Sequence, residues 1–234
     1  MTEPEIPTTL RVVLAVVGLT LRRASRGRTL WVAAIIALVP VAFGAVLRGL
    51  GPRGNLGDEL LAFQLLVLAV LPPMFIASSI GEEIEDRTIT YLWSRPIPRW
   101  AVVIGKLLAL APIAMVLVVV SWHLACALGL QSMPSMRSHA ALAAATAAVS
   151  AISTGIAVLV PRHGMALTIG YLLLDFWIGI IPASIRNLSV LHHVNAISFP
   201  TPEGTDAPTA AAWLAVVAAT WLGLGLWRIR RLEA

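Results

Sequence analysis

"LLAFQLLVLAVLPPMFIASSIGEEIEDR", Leu60 to Arg87, decides what kind of chain this is. Leu60 to Ile80 carries no charged side chain, and at 1.5 Å per residue it is long enough to cross the roughly 30 Å hydrocarbon core of a bilayer. The next stretch places Glu82, Glu83, Glu85 and Asp86 within five positions, four of the twelve acidic residues in the chain. A greasy rod that ends in a dense polar knot reads as a transmembrane helix emerging into water. Pro72 and Pro73 remove two backbone donors from its middle and predict a kink that neighbouring helices must cover.

The same signal repeats along the chain. Hydrophobic residues make up 58% of it, charged residues only 12%, and the mean hydropathy is +0.85, outside the range of soluble domains. Six apolar runs qualify as spans: 30–47 with Pro40 inside, 60–80, 100–128, 140–160, 165–181 and 210–227. The third would reach about 43 Å and should tilt or protrude. In the fourth, Ala143, Ala147, Ala151 and Gly155 recur every four positions, the spacing that lets helix backbones approach closely in lipid. A packed inner helix is expected there. The fold class is an all-α membrane protein forming a single transmembrane domain over 1–234, with a long irregular outer connection at 183–208.

Before the first span, residues 10–23 read as an amphipathic elbow helix in the membrane interface rather than a cleaved signal. Leu10, Val13, Leu14, Val17 and Leu21 share one face, and Arg11, Ala15, Gly18 and Arg22 share the other. Charge then orients the bundle. With both termini inside, thirteen basic residues fall on the inner side: Arg11, Arg22, Arg23, Arg26, Arg28, Arg87, Arg95, Arg99, Lys106, Arg162, Arg228, Arg230 and Arg231. Only Arg48, Arg53, Arg137 and Arg186 fall outside. Both termini and the polar knot are therefore expected in the cytoplasm, and the basic residues mark topology rather than a nucleic-acid surface. The single cysteine, Cys126, allows no intramolecular disulfide and reads as a small core residue.

The knot continues as a short amphipathic helix over about 82–93, stopped by Pro96-Ile97-Pro98, with Ile84, Tyr91 and Leu92 on one side. The order Glu83-Ile-Glu85-Asp-Arg-Thr88-Ile89, then Arg95-Pro96-Ile97-Pro98-Arg99 and Gly105-Lys106-Leu107, resembles the cytoplasmic loop of type 2 exporter permeases of ATP-binding-cassette transporters. That family has Glu-x-Glu-x-Gly-Thr-Leu, a Pro-Ile/Val-Ser/Pro-Arg turn and a Gly-Lys-Leu entering the third span. Arg87 stands where the family has Gly and adds a positive charge. The resemblance implies a coupling helix that inserts into a separate ATPase subunit through Glu82, Glu83, Glu85, Asp86, Arg87, Thr88, Tyr91 and Leu92, with Glu83 and Glu85 foremost in charge pairing. It further implies two ATPases holding ATP and Mg, and a second permease chain, identical or related. Arg22, Arg23, Arg26 and Arg28 of the elbow are expected as a second contact or as internal partners for the acidic helix, and Arg99 and Lys106 as further inner-face contacts. No nucleotide site is expected in this chain, because Gly105-Lys106 lacks the upstream glycine and the following Ser or Thr of a phosphate loop.

Other polar residues compete for a role. Asp175 is the acidic residue well inside a span, where it would serve an ion-coupled carrier or simply bond a tryptophan or the outer connection. Thr146, Ser150 and Thr154 could line a path or bond back into their own helix. His123 reads as a packing residue. His192 and His193, with His139 nearby in space, offer a weak metal pattern, and no metal site is expected. Glu82, Glu83, Glu85 and Asp86 could gather a divalent ion for phosphotransfer, but Glu83 points away from Glu82 and Glu85 on a helix and no nucleophile motif accompanies them. A structural or regulatory subunit without transport is the remaining alternative.

Overall fold

The computed structural model describes residues 9–49, 56–85, 98–181, 184–199 and 204–231, and every regular element among them is helical. In chain order these are α1 (Thr9–Arg26), α2 (Arg28–Ala37), α3 (Val39–Gly49), α4 (Leu56–Pro72), α5 (Ser78–Glu85), α6 (Arg99–Gly129), α7 (Met136–Leu159), α8 (Gly164–Ile180), α9 (Val190–Ser198) and α10 (Ala207–Arg231). Among the described residues six stretches are long and apolar enough to cross a membrane: Arg28–Gly49, Leu56–Ile84, Arg99–Gly129, Met136–Leu159, Pro161–Ile180 and Ala207–Arg231. The protein is an all-α membrane protein, and these are spans 1 to 6.

Proline chemistry shapes the first two spans. Pro40 cannot donate, and span 1 breaks two residues earlier, where the Leu38 amide is shared between the carbonyls of Ala34 (3.0 Å) and Ile35 (3.1 Å). In span 2, Pro72 and Pro73 remove consecutive donors, and the backbone answers with a single π-helical turn, Pro73–Ala77, in which the Ser78 amide reaches the Pro73 carbonyl five residues back. The Ser78 hydroxyl also donates to the carbonyl of Met74. The expected kink is thus a widened turn, and it re-aims α5 relative to α4.

Spans 2 and 4 form the centre, with 72% and 78% of their most apolar windows buried, against 33% for span 1 and 22% for each of spans 5 and 6. Span 4 can sit inside because its side chains are small. A Cβ on Gly155 would run into the carbonyl of Trp221, and one on Gly225 would lie 3.0 Å from the Gly155 Cα, so α7 and α10 touch backbone to backbone. Gly44 and Gly129 make a second such crossing between spans 1 and 3, with a Cβ on Gly129 3.0 Å from the Gly44 Cα. The four-residue alanine row is corrected in detail: Ala151 is buried, Ala143 half-buried and Ala147 exposed, and burial instead wraps the whole of residues 148–158.

Two further expectations change. The connection over 183–208 is not irregular throughout: it holds a 3₁₀ turn, Ser184–Leu188, and α9, whose Val190, Leu191, Val194 and Ile197 enter the core. The elbow helix forms, but the apolar face expected of it is divided. Val13 packs with Val12 on Ala101 of α6, whereas Leu10, Leu14 and Leu21 remain exposed.

Candidate functional site

The knot is assembled where α1, α5, α6 and the turn at Pro161 converge. Glu82 and Glu83 are consecutive on α5 and so point about 100° apart, each toward a different neighbour. Glu83 Oε1 lies 2.7 Å from Lys106 Nζ, and the same ammonium donates to the carbonyl of Ser79 one turn earlier. The Lys106 side chain is only 5% exposed, and Glu83 is 28% exposed. Glu82 reaches Arg23 of α1 at 3.7 Å, with both side chains mostly in solvent.

Glycines allow this convergence. A Cβ on Gly105, beside Lys106, would fall 2.8 Å from Val16 Cβ of α1, and one on Gly81 would fall 2.7 Å from the Pro161 carbonyl oxygen. Lys106 is carried by span 3, Glu83 by span 2 and Arg23 by the elbow. Three elements are therefore tied through two adjacent carboxylates.

Glu83, read as a charge facing a partner protein, turns inward to Lys106. Of the basic elbow residues, Arg23 meets the acids, while Arg22, Arg26 and Arg28 are exposed and form no ion pair among the described residues. Arg99 opens α6 and is half-buried. Of Glu85 only the backbone is described, as the last residue of α5, and Asp86, Arg87, Thr88, Tyr91 and Leu92 lie outside the described residues, as does the rest of the expected helix to 93.

Within the spans, the polar side chains fasten helices together. Gln64, fully buried in span 2, donates from Nε2 to the Val118 carbonyl (2.8 Å) and accepts from the Ser121 hydroxyl (3.2 Å). Ser121 also donates to the Ala37 carbonyl, in the turn exposed by the break in span 1. Gln64 escaped the sequence reading, although a lone amide in an otherwise uncharged, apolar run was the available signal. Thr146, Ser150 and Thr154 each donate to the carbonyl four residues back, at 2.7, 2.6 and 2.8 Å. All three are fully buried.

Asp175 is also fully buried, and its carboxylate accepts from the Ser189 hydroxyl (3.1 Å) and from the amides of Val190 (3.2 Å) and Leu191 (2.9 Å). It caps α9 from another helix, supplying the negative charge that a helix start favours. The partner is the outer connection and not a tryptophan. Ser189, at the N-cap itself, accepts from the His192 amide at 3.0 Å.

The histidines are distributed differently from the expectation. His139 sits beside His123, with its Nε2 3.3 Å from His123 Nδ1, and not beside His192 and His193. The Ser135 carbonyl accepts from His139 Nδ1 at 2.9 Å, so in the neutral pair His139 Nε2 is the acceptor and His123 the donor. One position along, Trp122 donates to the Ser138 hydroxyl at 3.1 Å, and together these two rungs close the hairpin of spans 3 and 4. His193 is fully buried and donates from Nε2 to the Asn187 carbonyl at 2.9 Å. Burial, and next the nearby Arg186, pull the His192 pKa down; burial dominates the lowering at His193 as well. Among the described residues no three His, Cys, Asp or Glu side chains converge on one point.

Between spans 2 and 5 and α9 runs an apolar groove of about 620 Å³, walled by Leu65, Leu66, Leu172, Leu173, Phe176 and Trp177, with Asp58 and Asn195 among its few polar contributors. α9 contributes Leu191 and Asn195 to this wall, and the Asp175 cap joins the start of that helix to span 5.

A six-span helical bundle whose polar side chains serve helix packing, and whose second span ends in a tied acidic knot, is a multi-pass membrane protein. The chain belongs to the ABC-2 family transporter proteins, whose family model matches residues 21–187, more than two thirds of the chain. It is a permease subunit of an ABC transporter, and the family association carries with it an ABC ATPase as partner. Comparison with curated proteins finds no match.

Proposed function

We propose that this permease couples ATP hydrolysis in a separate ATPase, loaded with ATP and Mg, to outward movement of an amphiphilic cargo. Two copies of this chain, or this chain and a related one, face each other above two ATPases, with both termini on the cytoplasmic side of the cell membrane. The orientation is supported by the thirteen-to-four division of basic residues. The cargo class is supported by the apolar groove of about 620 Å³, a volume suited to a drug-sized or lipid-like molecule.

The observation that carries the reading is the tie between Glu83 and Lys106. A push on the segment that follows α5 is borne by a helix joined to span 3 through a buried ammonium and joined to span 2 by continuity of chain. Glu82 and Arg23 extend the same load path to the elbow. Glu83 and Lys106 therefore transmit, and the acidic residues beyond them, Glu85 and Asp86, offer charge to the ATPase.

The test is co-purification and transport-stimulated hydrolysis after charge reversal of Glu85 and Asp86 together. The expected result is loss of ATPase association with the thermal stability of the isolated permease unchanged. An ATPase that still docks and is still stimulated would end this assignment.

A further inference from the structure

The elbow helix presents three distinct sides. At about 100° per residue, Val13, Val16 and Thr20 face the bundle, where Val16 and Val13 close on Gly105. Leu10, Leu14 and Leu21 fall in a neighbouring sector of about 40° and are 69%, 60% and 40% exposed. Arg11, Arg22 and Arg26 fall in a third sector of about 60°, all exposed, with Arg28 following at the start of α2. Leu19, 67% exposed, flanks the arginines on their other edge.

Between Thr9 and Trp31 there is no acidic residue, and Glu82, which meets this helix, is taken by Arg23. The remaining guanidinium groups thus stand beside leucines that need a hydrocarbon neighbour. A protein partner would have to cover the leucine sector as well. A lipid leaflet satisfies both sectors at once, since acyl chains meet the leucines while phosphate oxygens meet the guanidinium groups at the depth where long basic side chains emerge.

We propose that the arginine edge of α1 binds the anionic headgroups of the leaflet on its side of the membrane, and that this contact holds the elbow where Arg23 reaches Glu82. The occupant is an anionic lipid surface rather than the ATPase. Negative surface potential attracts each such side chain, and the attraction fades over a Debye length. The lipid contact positions the elbow under α5, so lipid charge sets how firmly the knot is assembled.

The experiment uses the full chain without any ATPase, reconstituted in vesicles of phosphatidylcholine alone or of equal parts phosphatidylcholine and phosphatidylglycerol. Amide hydrogen exchange over residues 9–28 should be slower in the charged vesicles by about fivefold for each arginine engaged. Exchange across α7 serves as the control for folding and should not differ. The R11Q/R22Q/R26Q variant should lose the difference, while R137Q/R186Q should retain it. For the unmodified chain, raised salt should erase the difference, which keeps the idea testable should the triple variant fold poorly. Equal exchange in the two vesicles, or a lipid effect untouched by salt, overturns the proposal. Protection that arises only when the ATPase is added also overturns it, and assigns these arginines to the protein partner. Because the main measurement omits the ATPase, a failure of the coupling reading leaves this result standing.

Discussion

Two buried polar seats at opposite ends of the bundle use a carboxylate in different ways. Asp175 is fully enclosed and accepts from two backbone amides and a hydroxyl, so its charge is satisfied within α9 and its cap. Glu83 accepts from a mobile class of side chain, an ammonium on a different span, and remains partly exposed. Amides at a helix start are fixed by the backbone and give a rigid joint. A lysine reaching across helices joins two bodies without merging them. The Asp175 seat suits a wall, and the Glu83 seat suits a transmission.

Asp175→Ala should have the largest effect, about 4 kcal/mol, because it strands the Val190 and Leu191 amides in a buried site, the Ser189 hydroxyl alone keeping the carbonyl of residue 175. Thermal unfolding in detergent would read it, and Asp175→Asn, which keeps an acceptor, should recover much of the loss. Full transport by the Asn variant would remove Asp175 from any proton-coupled scheme and leave it a structural cap. If the Ala variant melted like the parent, the contrast between the two seats would be lost.

The Glu83 seat should be asymmetric. Glu83→Ala leaves a buried ammonium without its counter-charge and should cost about 3 kcal/mol, whereas Lys106→Met leaves only a partly solvated carboxylate and should cost about 1 kcal/mol. Equal losses for the two variants would mean that burial of Lys106 does not govern the pair. Transport should suffer in both, since either change cuts the tie.

Acid should loosen the α9 end selectively. Burial holds the His192 and His193 pKa values below the ordinary 6.5, so the unfolded chain takes up protons first. The stability they contribute is complete above about pH 6.5 and declines as pH falls below it, with Arg186 adding repulsion at both imidazoles. Hydrogen exchange over residues 184–199, corrected for intrinsic rates, should accelerate at pH 5.5 relative to pH 8 while α5 does not follow. The smallest effect is reserved for Arg23→Gln. Its pair with Glu82 lies in solvent, and its loss should stay below about 1 kcal/mol.

Much of this architecture was legible in the residue order. Leu60 to Ile80 could only be a span, and Pro72-Pro73 could only disturb it, because a missing donor is a property of the residue itself. The small-residue character of 140–160 likewise announced an inner helix. The site was less legible. Four acids stood together at 82–86, but which of them would meet a base depended on the direction in which Gly105-Lys106 entered the bundle. α9 left a readable trace, a serine cap followed by apolar residues at 190, 191, 194 and 197, yet its place in the core depended on an aspartate fifteen residues upstream.

Hydropathy, proline chemistry and the distribution of arginines determined, from the chain alone, how many times it crosses and which end is basic. These follow from each segment's own exchange between water and lipid. Tertiary structure alone decided that Glu83 turns to Lys106, that Gln64 and Ser121 together join three spans and that Asp175 caps a helix. Each of those choices compares partners distant in sequence, and only the packed bundle brings them within hydrogen-bond reach.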